Sequence, residues 1–374
     1  MFNKMFLIRF VLVSCYGLVI SKNVEAECKK SVPDTLRCEN VAKISCEVLN
    51  KNYENYTKLE ILNTNEPFGM SAFTNMKNLT SILIMGGRIG IIYTETFKDI
   101  PHLESVIIHT VKIGDIQESV FFNLPKLKTV VITNTDIPFL RKGIFRNVPQ
   151  LYLINIENAN LRYIQNEPFY DVPYLKELSL YNNLLTILTK DMLYNLENLV
   201  YLDLSNNSIS IVEKNTFDAT PHLSKLNLED NQLIALDLDI FPTTGMKSLQ
   251  TIYLKRNQLM YLPSTFFTRT PALQEISLSH NPWFCPCLFE IHRILNLYNI
   301  TEIWVKEICI EYGRNSCKKP MPYSHRRLPI CINRNVSDIN CTNTYSQNLS
   351  EKYLKYTKEY DEFIGNNLEV FNVT

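Results

Sequence analysis

The stretch "LVYLDLSNNSISIV", residues 199–212, places leucines at 199, 202 and 204 and an isoleucine at 209 around Asn207. Similar stretches recur along the chain, and their first leucines are evenly spaced, except for one longer interval between Leu223 and Leu249. Repetition at a fixed period predicts a solenoid, in which each unit buries its apolar face only by stacking on its neighbours. The first positions are Leu79, Leu103, Leu127, Leu151, Leu175, Leu199, Leu223, Leu249 and Leu273, and a weaker copy begins near Tyr56.

Two further columns repeat in the same phase. An aliphatic residue occupies the fourteenth position, counted from the first leucine, at Ile92, Ile116, Leu140, Ile164, Leu188, Val212, Leu236 and Leu262. A phenylalanine, or once a leucine, occupies the nineteenth position, at Phe97, Phe121, Phe145, Phe169, Leu193, Phe217, Phe241 and Phe267. A proline often lies shortly before the next copy, and it biases the backbone before it towards the extended conformation.

The pattern L-x-x-L-x-L-x-x-N-x-L resembles the extracellular leucine-rich repeat family in its 24-residue form, which includes Toll-like receptor ectodomains and Slit- and chaoptin-type adhesion proteins. The resemblance implies an α/β solenoid, a horseshoe with a parallel concave β-sheet, an irregular convex side and disulfide-bonded terminal caps. Asn207 is then part of the scaffold, because its amide both donates and accepts hydrogen bonds and can satisfy backbone groups at the turn.

The asparagine column is incomplete. It is present at Asn183, Asn207, Asn231, Asn257 and Asn281, whereas the earlier copies carry Gly87, Val111, Thr135 and Ala159. An unpaired buried polar group costs roughly 1–3 kcal/mol, so the earlier coils need other partners at this turn. We therefore predict that residues 79–174 open locally before residues 175–281.

The sequence divides into five segments. Residues 1–26 read as a secretory signal peptide, with Lys4, an apolar run and small residues before the cleavage site. Residues 27–55 form an N-terminal cap, 56–281 about ten repeats, 282–341 a C-terminal cysteine-rich cap, and 342–374 a polar tail, partly disordered or a short helix. No later apolar run is long enough for a membrane span, so a secreted, extracellular protein is expected.

Cysteines mark both caps. The resemblance implies that Cys285 pairs with Cys309 and Cys287 with Cys331, while Cys317 and Cys341, which lie outside the family pattern, are expected to pair with each other. We expect Trp283 and Trp304 to fill the core of this cap. The N-terminal cap carries only Cys28, Cys38 and Cys46, so nine cysteines follow the signal. An odd number predicts a free thiol or an intermolecular bridge, for instance in a disulfide-linked homodimer.

Eight N-x-S/T sequences are candidate glycosylation acceptors, and none lies between residues 103 and 198. This gap leaves the concave face of the first half free of predicted glycan. The acceptors are Asn55, Asn78, Asn206, Asn299, Asn335, Asn340, Asn348 and Asn372.

Strand side chains alternate between faces, so the third, fifth and seventh positions of each repeat are expected on the concave surface. The fifth-position column is apolar in the first copies and polar in the later ones. This change favours a two-zone surface for a protein partner, with an apolar N-terminal patch and a tyrosine-bearing C-terminal zone. Alternatively, β-branched residues simply suit a strand, or the N-terminal cap folds over the patch. The candidate partner-binding residues are Leu83, Met85, Ile107, Val131, Leu153, Tyr181, Tyr201 and Tyr253.

The composition and the motifs of the sequence favour some classes of function over others. Thirty-eight basic and 38 acidic residues give no net charge, which gives no reason to expect nucleic-acid binding. No metalloprotease, nucleophile-elbow or phosphate-loop motif is present, so we expect no enzyme, no catalytic or metal site and no cofactor. We therefore favour a secreted protein that binds an extracellular ligand or a cell-surface receptor, for example as a soluble modulator of immune or cell-surface signalling. The alternative is a matrix or adhesion component that self-associates.

Overall fold

The computed structural model describes residues 28–40, 53–65, 67–283 and 285–303 of the 374-residue chain. The expectations for the signal peptide, the polar tail, Cys46, Cys309, Cys317, Cys331, Cys341, Trp304 and the acceptors Asn335, Asn340, Asn348 and Asn372 fall outside these residues.

One sheet of 14 strands runs through the described residues. Thirteen of its strands lie side by side in chain order, and the other, Lys112–Ile116, pairs with the second half of β4. The thirteen are β1 (Cys28–Val32), β2 (Thr35–Glu39), β3 (Lys58–Thr64), β4 (Ser81–Ile92), β5 (Ser105–His109), β6 (Thr129–Thr133), β7 (Leu153–Glu157), β8 (Glu177–Ser179), β9 (Tyr201–Asp203), β10 (Lys225–Asn227), β11 (Thr251–Tyr253), β12 (Glu275–Ser277) and β13 (Thr301–Glu302).

The register of the parallel strands follows the repeat. Val106 pairs with Val130, Val130 with Ile154, and Ile154 with Leu178, so each residue lies beside its equivalent in the next copy. Along β5, β6 and β7 the side chains alternate between partly exposed and fully buried. The first-position leucines are buried throughout, since the apolar face of each coil packs on the coils before and after it. The predicted parallel-sheet solenoid of stacked leucine coils is confirmed.

The phenylalanine column forms a stack of rings away from the sheet. Ring centroids are 5.2 Å apart between Phe73 and Phe97 and 5.1 Å apart between Phe97 and Phe121. The stack continues through Phe145 and Phe169, is interrupted at Leu193, and resumes between Phe217 and Phe241 at 5.5 Å. At the end of the stack two adjacent rings are buried, Phe266 and the predicted column member Phe267. Phe266 contacts Phe241, with ring centroids 5.5 Å apart, and both Phe266 and Phe267 lie in helix α1 (Phe266–Arg269).

Short elements carry the chain between the sheet and the phenylalanine stack. A three-stranded parallel sheet joins Phe97–Lys98, Phe121–Phe122 and Phe145–Arg146, and two-residue strands pair Phe139–Leu140 with Tyr163–Ile164 and Ile187–Leu188 with Ile211–Val212. Lys190–Leu193 and Leu238–Ile240 are 3-10 turns.

Asn207 bridges two coils through its amide group. Its Oδ1 accepts a hydrogen bond from the backbone N–H of Leu185, 3.1 Å away, and its Nδ2 donates to the carbonyls of Leu180 and Leu204, both at 3.0 Å. Asn183, Asn231, Asn257 and Asn281 make the same kind of bridge. The prediction that Asn207 belongs to the scaffold is confirmed.

The coils without the asparagine use longer backbone ladders. Strands β5 to β7 have five residues each and β8 to β12 only three, so pairs such as His109 with Thr133 extend the sheet in the first half. At Gly87 an added Cβ would lie 1.9 Å from the carbonyl oxygen of Thr64, which explains why this position holds a glycine instead of an asparagine. The buried hydroxyl of Thr135 has no hydrogen-bond partner among the described residues.

The prediction of earlier opening in residues 79–174 therefore depends on two opposed effects. The missing side-chain bridges and the orphaned Thr135 hydroxyl favour opening, whereas the longer ladders oppose it. We expect native-state hydrogen exchange to show lower protection for strand amides of residues 79–174 than for those of 175–281. Equal or greater protection in the first half would show that backbone pairing replaces the asparagine fully.

Both ends of the sheet are extended by cap residues. At the N-terminus β1 and β2 form an antiparallel hairpin closed by a Cys28–Cys38 disulfide, and β2 pairs in parallel with β3. At the C-terminus Trp283 is fully buried, its Nε1 donating to the Leu278 carbonyl at 2.8 Å. Helix α2 (Cys285–Leu297) follows, and Cys287 in it is disulfide-bonded to a cysteine whose side chain lies outside the described part of the chain.

Candidate protein-binding surface

The concave face is built by the side chains of β2 to β12 that point away from the core. The fifth-position column predicted from the sequence is a continuous ladder of paired residues across β4 to β12. In chain order it reads Leu83, Ile107, Val131, Asn155, Ser179, Asp203, Asn227, Tyr253 and Ser277.

An uncharged zone occupies the N-terminal part of this face. The concave positions of β4, β5 and β6 are Ser81, Leu83, Met85, Ser105, Ile107, His109, Thr129, Val131 and Thr133, with no lysine, arginine or carboxylate among them. Leu83, Ile107, Val131 and Leu153 are partly exposed, and Met85 is 40% exposed. We call Leu83, Met85, Ile107, Val131 and Leu153 the apolar patch.

The apolar patch is bounded by the N-terminal cap. Arg37 on β2 and Glu60 on β3 form an ion pair of 2.8 Å in line with the fifth-position column. The described cap strands thus continue the sheet beyond the patch rather than lying over it. Residues 41–52, the rest of that cap, are outside the described residues.

Hydrogen bonds organise the C-terminal zone around Asp203. Its carboxylate accepts hydrogen bonds from the Tyr201 hydroxyl at 2.7 Å, the Ser205 N–H at 2.9 Å, the Ser205 hydroxyl at 2.5 Å and the Asn227 amide at 3.2 Å. Burial, followed by the hydrogen bond to Asp203, raises the pKa of the Tyr201 hydroxyl above its usual value. At neutral pH the Tyr201 hydroxyl carries its proton, as an unperturbed phenol does, and donates it to Asp203.

The same zone contains a lysine held between two aromatic rings. The Nζ of Lys225 lies 5.2 Å from the ring centroid of Tyr201 and 5.0 Å from that of Tyr253. Both distances are within the range of a cation–π interaction. The third candidate tyrosine, Tyr181, is 39% exposed. Nearby, the Glu229 carboxylate accepts a 2.9 Å hydrogen bond from the Ser277 hydroxyl.

Lys255 is the second lysine of this zone. Burial, with the neighbouring Arg256 guanidinium as the next cause, lowers the pKa of Lys255. His109, in the uncharged zone, contacts the Thr133 hydroxyl through Nδ1 at 2.8 Å and lies two strands from Glu157 in the ladder.

Four of the candidate glycosylation acceptors lie within the described residues, and Asn55, Asn78, Asn206 and Asn299 are all exposed. The amide of Asn206 donates to Oδ1 of Asn182 at the rim of the sheet. Their use as acceptors stays a prediction.

Within residues 28–40, 53–65, 67–283 and 285–303, no group of three His, Cys, Asp or Glu side chains is placed to hold a metal ion. Among the same residues, no helix combines the length and apolarity that a bilayer span needs.

The structure brings together a group that sequence analysis did not single out. Tyr201 and Tyr253 were candidates, but Lys225 between them and the hydrogen bonds that surround Asp203 were not. The signal was present in the repeat, since Lys225 occupies the third position, directly beside Tyr201 in the next strand. Which ring the lysine contacts depends on side-chain conformation, and the repeat pattern carries no information about that.

Two family models match the chain. A BspA-type leucine-rich repeat region of six copies matches residues 42–176, and a leucine-rich repeat model matches residues 149–209, 173–233 and 221–282. Together they span residues 42–282, well over half of the chain, and the chain belongs to the leucine-rich repeat family. The BspA-type match ends at residue 176, directly before the strands shorten at β8 and the asparagine column begins at Asn183.

Solved structures share the fold. Two structures of the Toll–Spatzle complex from Drosophila match with TM-scores of 0.52 and 0.50 and sequence identities of 16% and 19%. The alignments cover 66% and 73% of this chain but only 37% and 47% of those chains, so this chain spans less than half of their length. The sequence matches no curated protein significantly. Because 415 solved chains match, the fold alone does not select a partner.

Proposed function

We propose that this chain is a secreted leucine-rich repeat protein that binds a protein partner through its concave face, as a soluble modulator of immune or cell-surface signalling. The observation that carries the proposal is the apolar patch. Four of its five residues, Leu83, Met85, Ile107 and Val131, lie in a zone of three strands without a formal charge at the concave positions, and Leu153 lies on the next strand. Contiguous exposed apolar surface marks interaction sites in soluble proteins.

Three further observations support the proposal. The Toll–Spatzle structures, which share this fold, are complexes between proteins. The Cys28–Cys38 disulfide suits an oxidising compartment outside the cytosol. The described cap strands extend the sheet rather than lying over the patch.

Charge introduced into the apolar patch tests the proposal. We expect Ile107→Asp to weaken binding of the partner captured from extracellular medium by roughly 30-fold, because a buried anion opposes an apolar interface at a cost of about 2 kcal/mol. Val131→Asp should behave in the same way. Surface plasmon resonance with the purified partner measures the effect.

The controls separate binding from folding. Lys112→Asp changes an exposed residue outside the concave positions and should leave affinity unchanged. Ile107 is partly exposed between the fully buried Val106 and Ile108, so Ile107→Asp should be secreted in nearly normal amounts, whereas Val106→Asp should not. Loss of secretion for Ile107→Asp would show that this side chain belongs to the core. Higher polymers of wild-type protein in sedimentation would instead support a matrix role.

A further inference from the structure

The C-terminal zone contains a lysine, Lys225, that forms no ion pair with any residue the structure describes. Among the described residues, no carboxylate lies within ion-pair distance of Lys225, although Asp203 is on the neighbouring strand. The reason is visible in the hydrogen bonds. Asp203 accepts from four neutral donors, including the Tyr201 hydroxyl, and these occupy both of its oxygens.

The two tyrosine rings position the Lys225 ammonium group but do not accept conventional hydrogen bonds from it. A ring face attracts a cation but accepts none of its three N–H hydrogen bonds in the way a carboxylate does. Lys225 is only partly exposed, and rings on both sides restrict its side chain. A group that binds there therefore meets an aligned donor, and little side-chain entropy is lost on binding.

We propose that Lys225 is a specificity-determining residue of the concave face and receives a single carboxylate, from an aspartate or glutamate of the protein partner. This inference rests on the proposed function. The flanking rings of Tyr201 and Tyr253 add the aromatic contact area typical of interface centres, and the carboxylate gains a charge-assisted hydrogen bond.

The surrounding charges favour one carboxylate over a polyanion. The concave positions of β8 to β12 carry four acidic residues, Glu177, Asp203, Glu229 and Glu275, and two lysines, Lys225 and Lys255. A sulfated glycan would place several negative charges against this zone and be repelled. A peptide segment with one acidic side chain directed at Lys225, and apolar residues reaching the apolar patch, fits both zones.

Random peptides displayed on phage and selected on the wild-type protein provide the probe. We expect selected peptides to share an aspartate or glutamate, and a synthetic copy to bind Lys225→Met roughly 10–100-fold more weakly than wild type. Lys225→Arg, which keeps the charge, should bind the peptide more tightly than Lys225→Met does, and Lys255→Met, which removes a charge from the next strand, should retain binding within about threefold. Unchanged thermal unfolding of Lys225→Met excludes a folding defect.

The acid and amide forms of the peptide complete the test. Replacing its glutamate with glutamine should weaken binding to wild type as much as Lys225→Met does, with little further loss when both changes are combined. Equal binding of acid and amide peptides, a selection without acidic residues, or Lys225-dependent binding of heparin instead would overturn the inference. If Ile107→Asp abolishes peptide binding and Lys225→Met does not, the proposed function stands and this inference fails; if neither variant matters, both fail.

Discussion

Replacing Arg141 with methionine is expected to lower the free energy of unfolding by about 3–5 kcal/mol, because it strands a buried carboxylate. Arg141 Nε and Nη2 each donate to one oxygen of Asp115 at 3.1 Å. The Asp115 side chain is only 3% exposed and that of Arg141 19%. Methionine keeps the length of the apolar stem and removes both donors, so the measured loss reports the unpaired carboxylate. Denaturation by urea, followed by circular dichroism, measures it.

Two controls define what the Arg141→Met result means. Lys128→Met removes an ion pair with Glu104 of 2.9 Å whose partners are 43% and 45% exposed, and it should cost no more than about 1 kcal/mol. Adding Asp115→Leu to Arg141→Met should restore much of the lost stability, since the buried charge is then gone. An Arg141→Met loss no larger than that of Lys128→Met would mean that Asp115 finds water or another donor.

The Asp115–Arg141 pair shows where prediction from the sequence ends. The solenoid was predictable, because leucines and phenylalanines recur at a fixed spacing and each must face the core. Asp115 lies in a column whose other members include the apolar residues Ile91, Phe139 and Ile187. An aspartate among apolar residues indicates a buried charge, but its partner Arg141 is in the next coil and lies outside every repeated column.

The candidate binding surface was predictable to a similar extent. Alternation along the strands placed Ile107 and Val131 on the concave face, and the register of the sheet confirms that placement. The hydrogen bonds to Asp203 and the rings around Lys225 depend on side-chain conformations that a repeat pattern does not encode. Neither Asp203 nor Lys225 recurs at the equivalent position of the other repeats, so the repeat pattern does not single them out.

Removing one ring from the phenylalanine stack is expected to have a similarly large effect. Phe121 is fully buried, and its centroid is 5.1 Å from those of both Phe97 and Phe145. Phe121→Ala therefore loses the buried ring and leaves a cavity between two coils, and we expect a loss of about 3–5 kcal/mol in the free energy of unfolding. Urea denaturation measures it.

The neighbouring residue provides the matched control for the ring deletion. Phe122 is partly exposed and contacts Lys98 from the outside, with Nζ 5.4 Å from the ring centroid, so Phe122→Ala should cost about 1 kcal/mol or less. Each coil contacts only its neighbours, so hydrogen exchange in Phe121→Ala should quicken first in the coils that contain Phe97, Phe121 and Phe145. The interruption of the stack at Leu193 should confine the change to the first half. Equal quickening beyond Leu193 would show that the two halves unfold as one cooperative unit.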